Sequence, residues 1–143
     1  MKDGLCPELA ARLVFLAAER NEDIPRNDEN TVLIPIPAST DETHRLRFEK
    51  YCAELSRLLG VTDGYSLLEL TMQREEGDIK KGMPLSTAMR LTDNGSLAGK
   101  RVIVVDDLIT SGTSFSQMAA YLMSADVESV TGLFLAKTVG VRF

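Results

Sequence analysis

Between Pro7 and Arg20 apolar residues recur at helical spacing, at Leu9, Leu13, Leu16 and Ala17, and a proline stands where a first helical turn tolerates one. This predicts an amphipathic helix. The next ten residues, NEDIPRNDEN, are polar and proline-broken and read as a turn region. TVLIPIP, Thr31 to Pro37, is a continuous apolar run stopped by prolines, the pattern of a buried strand, and a polar loop ASTDET follows. Leu46, Tyr51, Cys52, Leu55 and Leu59 then mark a second helix closed by Gly60. This spacing puts Cys52 in the core, while His44 is expected at the surface near the helix start.

YSLLEL, Tyr65 to Leu70, reads as another strand. From Thr71 to Lys100 there is little periodicity, and so long a stretch without regular structure points to a functional loop that closes over a site. RVIVV is a strand, Phe115, Met118, Ala119 and Leu122 fall on one face of a helix after it, and SVTGLFLAKTV, Ser129 to Val139, is a further strand. Strands rich in Val, Ile and Leu that alternate with helices imply an open α/β fold, a mainly parallel sheet flanked by helices.

Composition narrows the class. A length of 143 residues suits one folding unit, residues 1–143, and 44% hydrophobic with 26% charged residues is ordinary for a globular protein. No run approaches the roughly 18 apolar residues that cross a bilayer, and Asp3, Glu8, Arg12 and Glu19 make the first segment unlike a secretory signal. Cys6, Cys52 and the single His44 lack zinc-site spacing, so reduced thiols and a cytoplasmic setting are expected. With a net charge of −5 and basic residues clustered only at Arg45, Arg47 and Lys50, nucleic acid is a poor fit as a partner. A membrane is not expected either.

The chemistry concentrates in RVIVVDDLITSGTS, Arg101 to Ser114. In open α/β sheets ligands bind beyond the carboxyl ends of the strands, where Asp106 and Asp107 fall. Thr110, Ser111, Gly112, Thr113 and Ser114 lie where the next helix begins. A helix start presents unpaired N–H groups and partial positive charge, glycine allows close backbone approach, and four hydroxyls add donors, all of which suit a phosphate. Carboxylates accept hydrogen bonds from ribose hydroxyls, and the separation of a ribose diol from its 5′-phosphate is about that from a strand end to the following turn. The stretch therefore reads as a ribose 5-phosphate holder. A P-loop reading fails for want of GxxxxGK[ST], and a receiver domain would place its acid pair after the first strand.

VIVVDDLITSGTS resembles the phosphoribosyl-pyrophosphate signature of type I phosphoribosyltransferases, and LAGKRVIVVDD is similar to the usual approach to it. VLIPIPAST resembles the strand and pyrophosphate loop of that family. RLRFEKYCAEL is similar to the RGFNQ-type helix of the ComF-like branch, keeping Arg47 and Phe48 but not the glycine or the amide, and the chain lacks that branch's cysteine-rich zinc module. The resemblance spans about Thr31 to Lys137.

It implies specific roles. Asp106 and Asp107 would hold the ribose hydroxyls and approach Mg2+ through water, the ion being held mainly by pyrophosphate and ribose oxygens. Thr110 to Ser114 would bind the 5′-phosphate, and Ala38, Ser39, Thr40 and Arg47 the pyrophosphate, with Arg45 beside them. Arg74, Lys80, Lys81 and Arg90 would lie in the closing loop. Lys137 and Thr138 would border the acceptor, although little sequence remains for a hood. The implied partners are phosphoribosyl pyrophosphate and a small-molecule nitrogen acceptor, and a homodimer is compatible with this reading. Two functions stay open: a magnesium-dependent phosphoribosyltransferase, and a non-catalytic module that binds phosphoribosyl pyrophosphate or a nucleotide.

Overall fold

Pro7 needs no backbone partner at the first helical position and starts α1, Pro7–Ala18, in a computed structural model that describes residues 6–38, 40–71, 89–92, 94–106 and 113–134. The face of α1 that is buried is not the leucine stripe. Ala10, Ala11, Val14 and Ala18 point inward, whereas Leu9, Leu13 and Leu16 are 47%, 49% and 57% exposed. Two apolar stripes compete on this helix, and the small side chains win because α1 lies closely against the second helix.

β1, Thr31–Pro35, is buried throughout and stops two residues before the expected Pro37. The second helix, α2, Asp41–Leu59, is capped at its start by Thr40, whose hydroxyl accepts the Thr43 N–H. It ends at Gly60, whose φ of 72° is the left-handed conformation that glycine adopts without strain. The loop beyond α1 closes that end further: the Asn27 and Asp28 amides donate to the carbonyls of Leu59 and Gly60. Leu46 stands 59% exposed, and the stripe is carried instead by His44, Phe48, Tyr51, Cys52, Leu55 and Leu59.

The expected strand Tyr65–Leu70 splits. Asp63 accepts the Tyr65 N–H through Oδ1 and Leu67 N–H donates to Gly64, so Asp63-Gly64 forces a turn of 3-10 type at Tyr65–Leu67. A two-residue strand, β2, Thr62–Asp63, precedes that turn, and β3, Leu68–Leu70, follows it. The stretch Thr71–Lys100 is not wholly irregular: β4, Met89–Leu91, pairs antiparallel with β3, and Asn94–Leu97 forms a second 3-10 turn. Arg90 lies opposite Glu69 and pairs with it at 3.2 Å, so this cation of the expected loop is engaged within the hairpin. The rest of that stretch, 72–88 and 93, including Arg74, Lys80 and Lys81, lies outside the described residues.

β5, Arg101–Asp106, and β6, Ser129–Phe134, complete the main sheet, whose order is β2-β1-β5-β6 with every neighbouring pair parallel. Between them runs α3, Thr113–Met123, and the remainder of the expected last strand lies outside the described residues. Alternation divides the core in two. Leu33, Ile103, Val105 and Leu133 face α1 and α2, while Val32, Ile34, Val102, Val104, Val130 and Phe134 face α3 and the β3-β4 hairpin. The expected open α/β architecture is thus present, with α2 and α3 on opposite faces. No helix among the described residues is long and apolar enough to cross a membrane.

Candidate functional site

Strand order locates the site. The chain moves outward from β1 through α2 to β2 on one side, and from β5 through α3 to β6 on the other, so the direction of winding reverses between β1 and β5. At such a switch point the two connections part and leave a crevice beyond the carboxyl ends of the strands. Pro35 pairs with Val105 there, so the segments leaving β1 and β5 emerge side by side. These are the two segments that the sequence singles out, at Ala38 to Thr40 and from Asp106 onward. A groove lined by Val32, Thr62, Asp63, Ser66, Leu67 and Lys100 opens instead at the start of the strands, by the β2 margin.

On the β5 side, Asp106 is the last strand residue, half-buried and paired in register with Phe134. Thr113 is the first residue of α3, and half-buried Ser114 follows it, which puts both at the helix start as expected. Phe115 anchors that start at 3% exposure and meets Phe134 edge-on, with ring centroids 5.7 Å apart. Asp107, Thr110, Ser111 and Gly112 lie outside the described residues, as do Ser39 on the other side and Lys137 and Thr138 at the end.

On the β1 side the backbone accounts for most of the geometry. Pro35 and Pro37 have no N–H, so only Ile36 and Ala38 offer amides between them and Ser39. Both are engaged: Ile36 donates to the Val105 carbonyl at 2.9 Å, and Ala38 to His44 Nδ1 at 3.2 Å. Ala38 is itself buried. The Thr40 hydroxyl caps α2 and also donates to the Thr43 hydroxyl at 2.9 Å. Arg47 is half-buried one turn after His44 on the same side of α2, and Arg45 is exposed.

His44 corrects the expectation of a surface residue, being only 5% exposed. Its ring stacks on Tyr65 at 5.2 Å and 14° and tilts against Phe48 at 5.5 Å. A signal for this was available: His44 precedes Phe48, Cys52, Leu55 and Leu59 at the spacing of the buried stripe. Cys52 is in the core as expected, and burial pushes its thiol well above the usual range, which makes it a packing residue and not a nucleophile. Asp63 is also pushed up by partial burial. Among the described residues no three His, Cys, Asp or Glu side chains are grouped to hold a metal ion. The oxygen donor of Asp106 suits a hard cation such as Mg2+ if a substrate supplies the remaining oxygens.

The sequence matches the family model of the phosphoribosyl transferase domain over residues 6–137. The chain belongs to that family. No curated protein sequence matches it. Solved structures similar to this phosphoribosyl transferase domain include a glutamine phosphoribosylpyrophosphate amidotransferase from B. subtilis, with TM-score 0.57 and 17% identity over 93% of this chain and 27% of that one. A hypoxanthine phosphoribosyltransferase from Staphylococcus aureus gives 0.54 and 12% over 92% of this chain and 64% of that one. A hypoxanthine-guanine phosphoribosyltransferase from Bacillus anthracis gives 0.56 and 20% over 94% and 72%. At these identities the likeness shows the fold. The phosphoribosyl transferase domain spans about a quarter of the amidotransferase chain and under two thirds of the first hypoxanthine enzyme.

Proposed function

We propose that this domain transfers ribose 5-phosphate from phosphoribosyl pyrophosphate to a nitrogen acceptor, a nucleobase or a related molecule, with release of pyrophosphate. The observation that carries this reading is the meeting, at the reversal of the sheet, of the segment after β1 with the Asp106 end of β5, the strand that α3 follows. The reaction breaks the bond from C1 of the ribose to pyrophosphate and forms one from C1 to nitrogen, through a cationic sugar. The protein has to position and to stabilise charge, with no covalent step of its own.

In this reading Asp106 and Asp107 accept hydrogen bonds from the ribose hydroxyls and set negative charge near the developing cation. Thr110 to Ser114, at the α3 start, receive the 5′-phosphate. Ser39, Thr40 and Arg47 face the pyrophosphate, and Ala38 shapes the loop that presents them, because its own amide is engaged. Mg2+ bound to the substrate would neutralise pyrophosphate charge, with Asp106 and Asp107 within reach of its waters. The whole chain acts as one unit, and the stretch between β3 and β4 closes over the crevice while Lys137 and Thr138 border the acceptor. The RLRFEKYCAEL segment inside α2 supports a place near the ComF-like branch. Two free cysteines, one exposed and one buried, suit a reducing compartment such as the cytoplasm.

The test is calorimetric titration with phosphoribosyl pyrophosphate and Mg2+, followed by pyrophosphate release over a panel of nucleobases. Binding with turnover on one base supports a transferase. Binding without turnover on any base makes the domain a binding module, and absence of binding overturns both readings.

A further inference from the structure

A side chain at the fourth position of a helix leans back toward the helix start, over the chain that enters it. His44 holds that position in α2, and its Nδ1 meets the Ala38 amide, two residues before the cap Thr40. A nitrogen that accepts a hydrogen bond carries no proton, so the ring is the neutral form with its proton on Nε2. The stack on Tyr65 and the tilted contact with Phe48 fix the plane of the ring. Pro35 and Pro37 donate nothing, and the Ile36 and Ala38 amides tie the β1 side of the crevice to β5 and to His44.

We infer that His44 is a positioning residue: its neutral ring holds the segment Ile36–Ala38 in the shape that presents the pyrophosphate side of the crevice, and protonation of His44 releases it. A proton on Nδ1 would face the Ala38 N–H donor to donor, and the imidazolium charge would sit in a buried place beside two aromatic rings. Among the described residues the charges near the ring are of both signs. On α2 the charges about the Tyr65 stack are Asp41, Arg45 and Glu49, with the Cys52 thiol deeper. Asp63 sits just before Tyr65 and binds its amide, Arg47 is one turn on, and Asp106 ends the strand across the crevice. The segment Ile36–Ala38 brings no charge.

The consequence for phosphoribosyl pyrophosphate rests on the function proposed above, whereas the state of the Ala38 amide does not. Two variants separate acceptor from packing. His44→Asn places an amide oxygen where Nδ1 stands and does not titrate; His44→Phe keeps a ring for Tyr65 and removes the acceptor that Nδ1 offers the Ala38 amide. In the ligand-free protein, amide hydrogen exchange at Ala38 followed by NMR is expected to be slow in wild type and His44→Asn and about tenfold faster or more in His44→Phe. As the pH is lowered, the Ala38 protection factor, which corrects for the intrinsic slowing of amide exchange in acid, should fall in wild type relative to His44→Asn.

Affinity for phosphoribosyl pyrophosphate should follow the same order. The ratio of wild type to His44→Asn removes the ligand's own ionisation from the pH profile. Equal Ala38 exchange in the Asn and Phe variants, or a wild-type profile that parallels His44→Asn, overturns the inference. Protection of the Ala38 amide that falls in acid relative to His44→Asn, in a protein that binds no phosphoribosyl pyrophosphate, sustains the tether and overturns the function.

Discussion

Leaving β1, the chain reaches α2 within six residues and is held by prolines, the Ile36 hydrogen bond to β5 and the buried ring of His44. Leaving β5, the sequence brings two adjacent carboxylates, Asp106 and Asp107, and a hydroxyl-rich stretch up to the start of α3. The first wall is shaped by what lies behind it, and the second by the residue types along it. A ligand that bridges the crevice would therefore depend on the β5 side for contacts and on the β1 side for geometry.

The largest effect that would break this contrast comes from the acids. Changing Asp106 and Asp107 together to Asn should weaken phosphoribosyl pyrophosphate binding on the order of 100-fold or more by calorimetry, with thermal stability little altered. Unchanged affinity would mean that the β5 side contributes shape alone.

Next come the glycines that back each wall. A Cβ on Gly64 would stand 2.8 Å from the Leu33 carbonyl oxygen and 2.6 Å from Val32 on β1, and Gly64 N–H already donates to that carbonyl. On Gly132 it would meet Phe115 and Phe134 ring carbons at 2.8 Å, behind the α3 start. Backbone gives way less easily than ring edges. Gly64→Ala is expected to cost near the top of about 1–3 kcal/mol in urea unfolding and Gly132→Ala nearer the bottom. The reverse order would show that the β5 wall is the stiffer of the two.

The smallest effect lies at the other end of the same strands. Asp28 accepts from the Asn30 amide and the Thr31 hydroxyl at the start of β1 and pairs with Arg101 at the start of β5 at 3.3 Å. Those hydrogen bonds, the Asn30 amide first, hold its carboxyl below the ordinary 3.8. A lowered acid stabilises the fold above its unfolded value and loses that contribution as pH falls through the folded one. The melting temperature of wild type over Asp28→Asn should thus show a small, constant excess near neutrality that shrinks below about pH 4. A constant difference down to pH 2 would remove the carboxylate from the account.

Legibility in the sequence followed the same division. The strand end at Asp106, the α3 start and the buried face of α3 could be read because the spacing of apolar and polar residues there states the period. His44 could not be placed by type, since a lone histidine near a polar loop looks like surface; its burial follows from Phe48, Tyr65 and the helix behind it. In α1 the periodicity was sound but the face was not, because close contact with α2 favoured Ala10, Ala11 and Val14 over larger leucines. β2 is two residues long and β4 three, too short for a pattern of period two to register.

The brevity of β2 reaches beyond topology. It forms the outer margin of the main sheet next to β1 and pairs with it at only Val32 and Leu33. The chain then leaves at once into the Gly64 turn, so the ladder of backbone groups open to solvent there is two residues deep. A stray extended peptide finds almost no template on it, and the exposed Asp63 adds a carboxylate to that short edge, so this side of the sheet resists edge-to-edge aggregation.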